Sequence, residues 1–249
     1  MDIGAMTDQQ RHALRSRSAS HLQALGALLQ HRRHVEINEV LVSEGSAPNR
    51  VYQINEGWAF RYKTLPDGRR QVLDFLLPGD ITGLFSVLFD QNCCGVQALT
   101  PLLVRSTGAR RVISEFNRSR QMAVTLSWLA GCHTRRSDEQ ILRIGRRNAE
   151  ERMAHLFLEL YRRLRQNGLQ DTVARRLPIT QKIIADHIGM SQVHANRTFR
   201  ALCRHGVVTL RDGDILLLDP AGLVRLSDFE DDYLEHIPAC PTRQESSCA

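Results

Sequence analysis

The sequence predicts an α+β chain: a β-roll (jelly roll) first, then one long helix, then a winged helix-turn-helix. Three observations carry this. From Val35 to about Arg111 the chain breaks into short β-prone runs separated by Gly, Pro and Asp. From Arg120 to about Gly145 there is no proline, and glycine occurs only at Gly131 and at the end. From Leu177 to His205 two short amphipathic stretches meet at Gly189. The expected division is residues 19–118 for the roll, 119–146 for the long helix, 147–226 for the winged unit and 227–249 for an acidic tail.

Residues 1 to about 18 are polar, and His21 to Leu29 has helical apolar spacing. The strands expected next are Val40 to Val42, Val51 to Ile54, Trp58 to Tyr62, Gln71 to Leu76, Gln97 to Leu99 and Leu102 to Arg105. Gly45, Gly57, Pro66-Asp67-Gly68 and Pro78-Gly79-Asp80 punctuate them, and many short strands at regular spacing imply a sandwich or jelly roll. A short segment, Val112 to Asn117, leads into the long helix.

Along that helix Met122, Leu126, Leu129, Cys132 or His133, Arg136, Gln140 and Ile144 recur about every 3.5 residues. About 25 residues at roughly 1.5 Å each exceed what a compact domain needs internally. A dimer seam is expected along this stripe, the alternative being a helix laid on its own sandwich. Asn148 to Leu164 follows as a second amphipathic helix, with Met153, Leu156, Phe157, Leu160 and Leu164 on one side.

In the helix-turn-helix, Thr180 and Ser191 are placed to cap the two helices. Ile183, Ile184, Ala185 and Ile188 form the apolar side of the first, and Ala195, Phe199 and Leu202 that of the second. The outward side of the second carries Gln192, Val193, Asn196, Arg197, Arg200 and Arg204, with no acid between Ser191 and His205. A helix packed on one side and cationic on the other suits a DNA major groove. Val207 to Leu210 and Ile215 to Leu218 flank Arg211-Asp212-Gly213-Asp214, a hairpin signal that supplies the wing.

Charge follows the same plan. Residues 146–225 hold 14 Arg and Lys against 8 Asp and Glu, whereas residues 226–249 hold 1 Arg against 6 acids. The basic excess thus lies with the helix-turn-helix, as phosphate binding requires. Lys63 and Lys182 are the sole lysines among 33 cations, so the arginine skew also fits coding bias. No apolar run reaches a membrane span, the N-terminus lacks a signal-peptide core, and the six cysteines show no CxxC pair. A cytoplasmic chain with reduced thiols is expected.

The order roll, long helix, winged helix, with Leu77-Pro-Gly-Asp-Ile-Thr-Gly-Leu-Phe-Ser-Val-Leu88 and the helix-turn-helix, resembles the Crp/Fnr family of bacterial transcription regulators over residues 20 to 225. The resemblance implies a cyclic-nucleotide-binding-like roll, a homodimer, a palindromic DNA site and contact with RNA polymerase. It places Thr180, Ser191 and His194 at phosphate-contacting positions, with Arg200 on the same outward side. It places Gln192, Val193, Asn196 and Arg197 at base-reading positions. Arg197 matches an arginine that reads guanine. Val193 stands where well-known members have glutamate, which implies an altered half-site, with Gln192 as an adenine reader and Val193 against a thymine methyl.

The ligand residues depart further. Where cAMP-binding members supply a glutamate for the ribose and an arginine for the cyclic phosphate, this chain has Leu84 and Asn92. No cAMP binding is expected. The N-terminal cysteine cluster of iron–sulfur members cannot be built, since the first cysteine is Cys93, so no cofactor and no metal are expected. Idle thiols are the simpler reading of the cysteines. The candidate redox thiol is Cys203, which has Arg200, Arg204 and His205 close by.

No catalytic residues are expected. A metal cupin needs histidines on its strands, and none lies between Val40 and Arg105. The expected function is therefore sequence-specific DNA-binding transcription regulation through residues 191–205. The alternative is a small-molecule sensor whose helical domain binds a protein partner.

Overall fold

The computed structural model describes residues 25–234. After a helical turn at 25–28, eight strands form two antiparallel four-stranded sheets. One contains β1 (His31–Val35), β8 (Leu102–Gly108), β3 (Arg50–Glu56) and β6 (Ile81–Thr82) in that order. The other contains β2 (Val40–Val42), β7 (Gly95–Ala98), β4 (Ala59–Thr64) and β5 (Arg70–Leu76). Between them Val35, Leu41, Ile54, Leu76, Val96, Leu102 and Val104 form a closed apolar core. The six expected strands are all present. β1 and β6 were not expected: β1 is exposed along four of its five residues and so lacks alternation, and β6 is two residues long. Gly57 is required where β3 turns into β4, because φ is +83° and a Cβ would lie 2.1 Å from the Pro101 carbonyl oxygen.

The segment at Val112 belongs to a helix, α1 (Ala109–Arg118), and the long helix is α2 (Arg120–Arg146), capped by Ser119. Part of the expected stripe on α2 is covered within the chain. Met122, Leu126 and Leu129 pack on Leu25, Leu28, Leu29 and Ile81 of the same chain, and Arg136 and Gln140 reach the roll and the helix-turn-helix. The outward face carries the exposed Val124, Ile141 and Leu142.

α3 (Ala149–Gln166) starts at a capping box formed by Asn148 and Glu151 and buries Met153, Leu156, Phe157 and Leu160. A turn of helix, α4 (Asp171–Ala174), and β9 (Arg176–Leu177) lead to the helix-turn-helix, α5 (Gln181–Ile188) and α6 (Gln192–Arg204). β10 (Val208–Arg211) and β11 (Asp214–Leu217) form the wing, turning at Asp212 and Gly213, both at positive φ. α7 (Pro220–Ser227) then packs on α3.

Two features were not expected. The roll and the winged unit share one apolar core, in which Phe60, Val72 and Phe75 meet Phe157, Ile184 and Ile188. The start of the acidic tail is also packed rather than solvated: Phe229 and Leu234 are buried, and the Tyr233 hydroxyl donates to Glu159 Oε2 at 2.9 Å. Apolar residues between the acids hold this segment down. No helix among the described residues is long and apolar enough to cross a membrane.

Candidate nucleic-acid interface

α6 is positioned from beneath. Ala195, Phe199 and Leu202 enter the shared core, and Phe199 stands nearly perpendicular to Phe157 at 6.5 Å between ring centres. Its N-terminus is fixed by Ser191, whose hydroxyl accepts from the His194 amide at 3.2 Å. Thr180 likewise caps α5 through the Ile183 amide. Gly189, at φ +69°, makes the turn between the two helices.

With that side buried, Val193, Arg197, Arg200 and Arg204 form one exposed stripe, at i, i+4, i+7 and i+11. Val193 is 81% exposed at the start of the helix. Among the described residues no carboxylate lies within ion-pair distance of Arg197, Arg200 or Arg204. By contrast, Arg175, Arg176 and Arg225 of the same unit are all paired with acids. The cations facing outward from α6 are therefore free for phosphate and base edges.

Gln192, Thr180 and Ser191 are exposed as a groove contact demands, and His194 is half-buried. Asn196 is also half-buried, and its Oδ1 lies inside with no hydrogen-bond partner among the described residues. Cys203 is half-buried, and burial pushes its thiol above the ordinary value.

The interface is joined to the rest of the chain through buried polar groups that sequence reasoning missed. At the end of α5 the His187 carbonyl accepts from Gln71 of β5 at 2.9 Å and from Gln140 of α2 at 2.8 Å. His187 Nδ1 donates to the Val72 carbonyl at 3.2 Å, and its Nε2 accepts from Arg143 at 3.1 Å. Arg143 has 0% exposure and also donates to His155 Nδ1, Gln140 and Glu159. Both imidazoles accept from a guanidinium and so are neutral. Burial, followed by the Arg143 charge, holds His187 down at about 4 and His155 at about 3.

Arg163 of α3 continues the network, donating to Asp80 Oδ2 at 2.6 Å, Asp74 Oδ1 at 3.2 Å and the Phe75 carbonyl at 2.8 Å. Arg136 of α2 bridges the same two aspartates at 3.4 and 3.3 Å. Although burial opposes it, the charges of Arg136 and Arg163 hold Asp74 well below the usual carboxylate range. Arg143 and Arg163 likewise hold Glu159 down at about 2.

Between the roll and α2 lies a cavity of about 410 Å³ lined in part by Val42, Arg61, Leu76, Phe85, Val96 and His133. The two residues at the positions expected to meet a cyclic nucleotide do not fit one. Leu84 turns into the apolar cluster of Leu29, Val51 and Val112. Asn92 is spent on the Ser46 carbonyl and hydroxyl, both at 3.1 Å.

A strand roll and a long helix joined to a winged helix-turn-helix whose outward cations have no acid partner among the described residues define a DNA-binding regulator. Known proteins agree. Residues 151–226 match the Crp-like helix-turn-helix domain and residues 32–118 the cyclic nucleotide-binding domain. The chain is 33% identical over 198 residues to the nitrogen fixation regulation protein FixK of Bradyrhizobium diazoefficiens, covering 79% of this chain and 81% of that protein. It is also 33% identical over 198 residues to the transcriptional activatory protein AadR of Rhodopseudomonas palustris, covering 78% and 79%. The structure of FixK2 from Bradyrhizobium japonicum superposes with a TM-score of 0.73 at 27% identity, covering 82% of this chain and 100% of that one. The chain belongs to the Crp/Fnr family of transcription regulators.

Proposed function

We propose that this regulator reads a two-fold symmetric DNA site as a homodimer, placing α6 of each chain in a major groove. In this reading Arg197 takes guanine O6 and N7, Gln192 an adenine, and Val193 a thymine methyl, with Asn196 beside them. Thr180, Ser191, His194 and Arg200 take phosphates. The observation that carries the reading is the exposed stripe of Val193, Arg197, Arg200 and Arg204, whose arginines have no acid partner among the described residues. The dimer forms through the outward face of α2, where Val124, Ile141 and Leu142 lie open. RNA polymerase is the further partner at the promoter, and the setting is the cytoplasm.

The test is selection of genomic fragments by the purified chain, followed by affinity measurements on the enriched site and a scrambled one. A two-fold symmetric enriched site supports the reading. Arg197→Ala is expected to lose about 1–3 kcal/mol on the enriched site and little on the scrambled one. An unchanged ratio of the two affinities refutes the role of Arg197. DNA affinity that barely changes with salt favours a protein partner for the helical domain instead.

A further inference from the structure

The outward stripe of α6 contains one side chain that can make no hydrogen bond. Val193 lies in the first turn of the helix and is 81% exposed, more than any other large apolar side chain among the described residues. Its surroundings are polar: Ser191 and Gln192 are exposed beside it, and Arg197 is exposed one turn further on. The Ser191 hydroxyl, accepting from the His194 amide at 3.2 Å, holds this first turn in place. Branching at Cβ leaves valine essentially one χ1 rotamer in a helix, so its two methyls stand at a fixed position on this face. Little side-chain freedom remains to be lost when a partner meets them.

That chemistry limits what Val193 can read, and the inference rests on the placement of α6 in a major groove argued above. The groove edge of a pyrimidine varies in two features. One is the group at C4, a carbonyl oxygen in thymine and an amino group in cytosine; the other is a methyl at C5, present or absent. An acidic or amide side chain tells the C4 groups apart by accepting or donating a hydrogen bond. Valine does neither, so it is blind at C4 and responds to the C5 methyl alone. Thymine carries that methyl, and so does 5-methylcytosine, whereas uracil and cytosine lack it. We propose that Val193 is a reader of the C5 methyl that takes thymine and 5-methylcytosine alike, which makes methylated DNA a ligand class of this regulator. Val193 and Arg197 are i and i+4, about 5–6 Å apart at Cβ, and successive bases are about 3.4 Å apart along the duplex. The methyl-bearing pyrimidine therefore lies within about two base steps of the guanine on Arg197. A site with cytosine at that place gains affinity when the cytosine is methylated, with no change of sequence.

The test is the affinity of the purified full-length chain for its enriched site, read by fluorescence anisotropy. Each pyrimidine of the half-site is varied in turn on both halves. Thymine is exchanged for uracil, which removes a methyl, and cytosine for 5-methylcytosine, which adds one. Neither exchange alters a hydrogen-bonding group. At one position near the guanine the methylated form is expected to bind about four-fold tighter per half-site, the factor that burial of one methyl supplies. With both half-sites exchanged the factor is about fifteen-fold. A cytosine·guanine pair placed at that position is expected to gain the same factor on methylation. Val193→Ser should shrink both effects to less than about two-fold, and Val193→Glu, which accepts from the cytosine amino group, should favour cytosine with or without its methyl. Val193 is exposed, so neither variant removes a packed side chain. The inference fails if no methyl exchange changes affinity by more than about two-fold, or if Val193→Ser keeps the effect. It also fails if 5-methylcytosine gains nothing over cytosine where thymine gains over uracil. In these cases the enriched site and its dependence on Arg197 still stand. Failure to enrich a two-fold symmetric site, or an unchanged affinity ratio in Arg197→Ala, overturns the reading of α6 and this inference with it.

Discussion

Lowering the pH from 7 to 5 is expected to destabilise this protein well before its carboxylates titrate. His155 and His187 are almost completely buried and are held neutral, at about 3 and about 4, by burial and then by Arg143. In the unfolded chain a histidine titrates near 6.5. The folded values are lowered, so the stability these residues contribute is fully present above about pH 6.5 and is lost as pH falls toward 4. Between pH 7 and 5 each unfolded imidazole binds nearly one proton that its folded counterpart does not. That amounts to about 2 kcal/mol each, or about 4 kcal/mol together. The figure is insensitive to the folded values, since pH 5 lies above both. Glu159 and Asp74, also held low, add losses of the same sign below about pH 4.5.

The assay is the urea midpoint between pH 4.5 and 7.5 at fixed ionic strength. Near pH 5.3 His155 and His187 are expected to lower the stability by about 2.5 kcal/mol per pH unit, nearly two protons taken up on unfolding, and His133, held down at about 4 by burial and then by the Arg61 charge, adds to that slope with the same sign. His187→Gln keeps an amide able to bridge Val72 and Arg143 but does not titrate, and it should cut that slope by about one proton. A flat profile between pH 7 and 5, or a slope untouched by His187→Gln, refutes the assignment of neutral imidazoles around Arg143.

Arg163→Met leaves Asp74, Asp80 and Glu159 buried and short of a partner, and it is expected to cost about 3–5 kcal/mol in urea unfolding. Arg200→Ala should weaken binding to the enriched and scrambled sites alike and reduce the slope of log affinity against log salt by about 1, read by fluorescence anisotropy across salt concentrations. Ile141→Asp, at a position 70% exposed on the outward face of α2, should shift sedimentation toward monomer while leaving the circular dichroism spectrum unchanged.

The elements that carry function were legible because their signals are local. The turn at Gly189, the hydroxyl caps of Thr180 and Ser191, and the Asp212-Gly213 hairpin each reside in a few consecutive residues, and each forms as its chemistry dictates. The same holds for β2, which coincides with the expected Val40 to Val42. What was not legible depends on residues far apart in sequence. The 3.5-residue stripe of α2 is real, but periodicity says only that a face is apolar, not whether its partner is another chain. Here the partner is the roll and the turn at 25–28. Arg143, with 0% exposure, looked like one more basic residue at the polar end of a long helix. Its burial follows from His155, Glu159 and His187, 12 to 44 positions away. Arg61 gave no signal for the same reason, since alternation places it on a strand face but does not disclose the cavity or His133 opposite.

The way acids are shared in this network ties α3 and the winged unit to α2. Asp74 and Asp80 are each held by both Arg136 of α2 and Arg163 of α3, and Glu159 is held by both Arg143 and Arg163. Withdrawing Arg136 leaves two buried carboxylates short at once, and withdrawing Arg163 leaves three. Asp74 and Arg136 also form part of the cavity wall, and Gln140 and Arg143, one and two turns further along α2, contact His187 at the end of α5. A change at the cavity that shifts α2 past Arg136 must either break these pairs together or carry α3 and α5 with it. The second course keeps the charges compensated and is the cheaper by the several kcal/mol that an unpaired buried ion costs, about 3–5 for a single broken pair. The orientation of α6, which rests on α5 through Gly189 and on α3 through Phe199, then follows the position of α2.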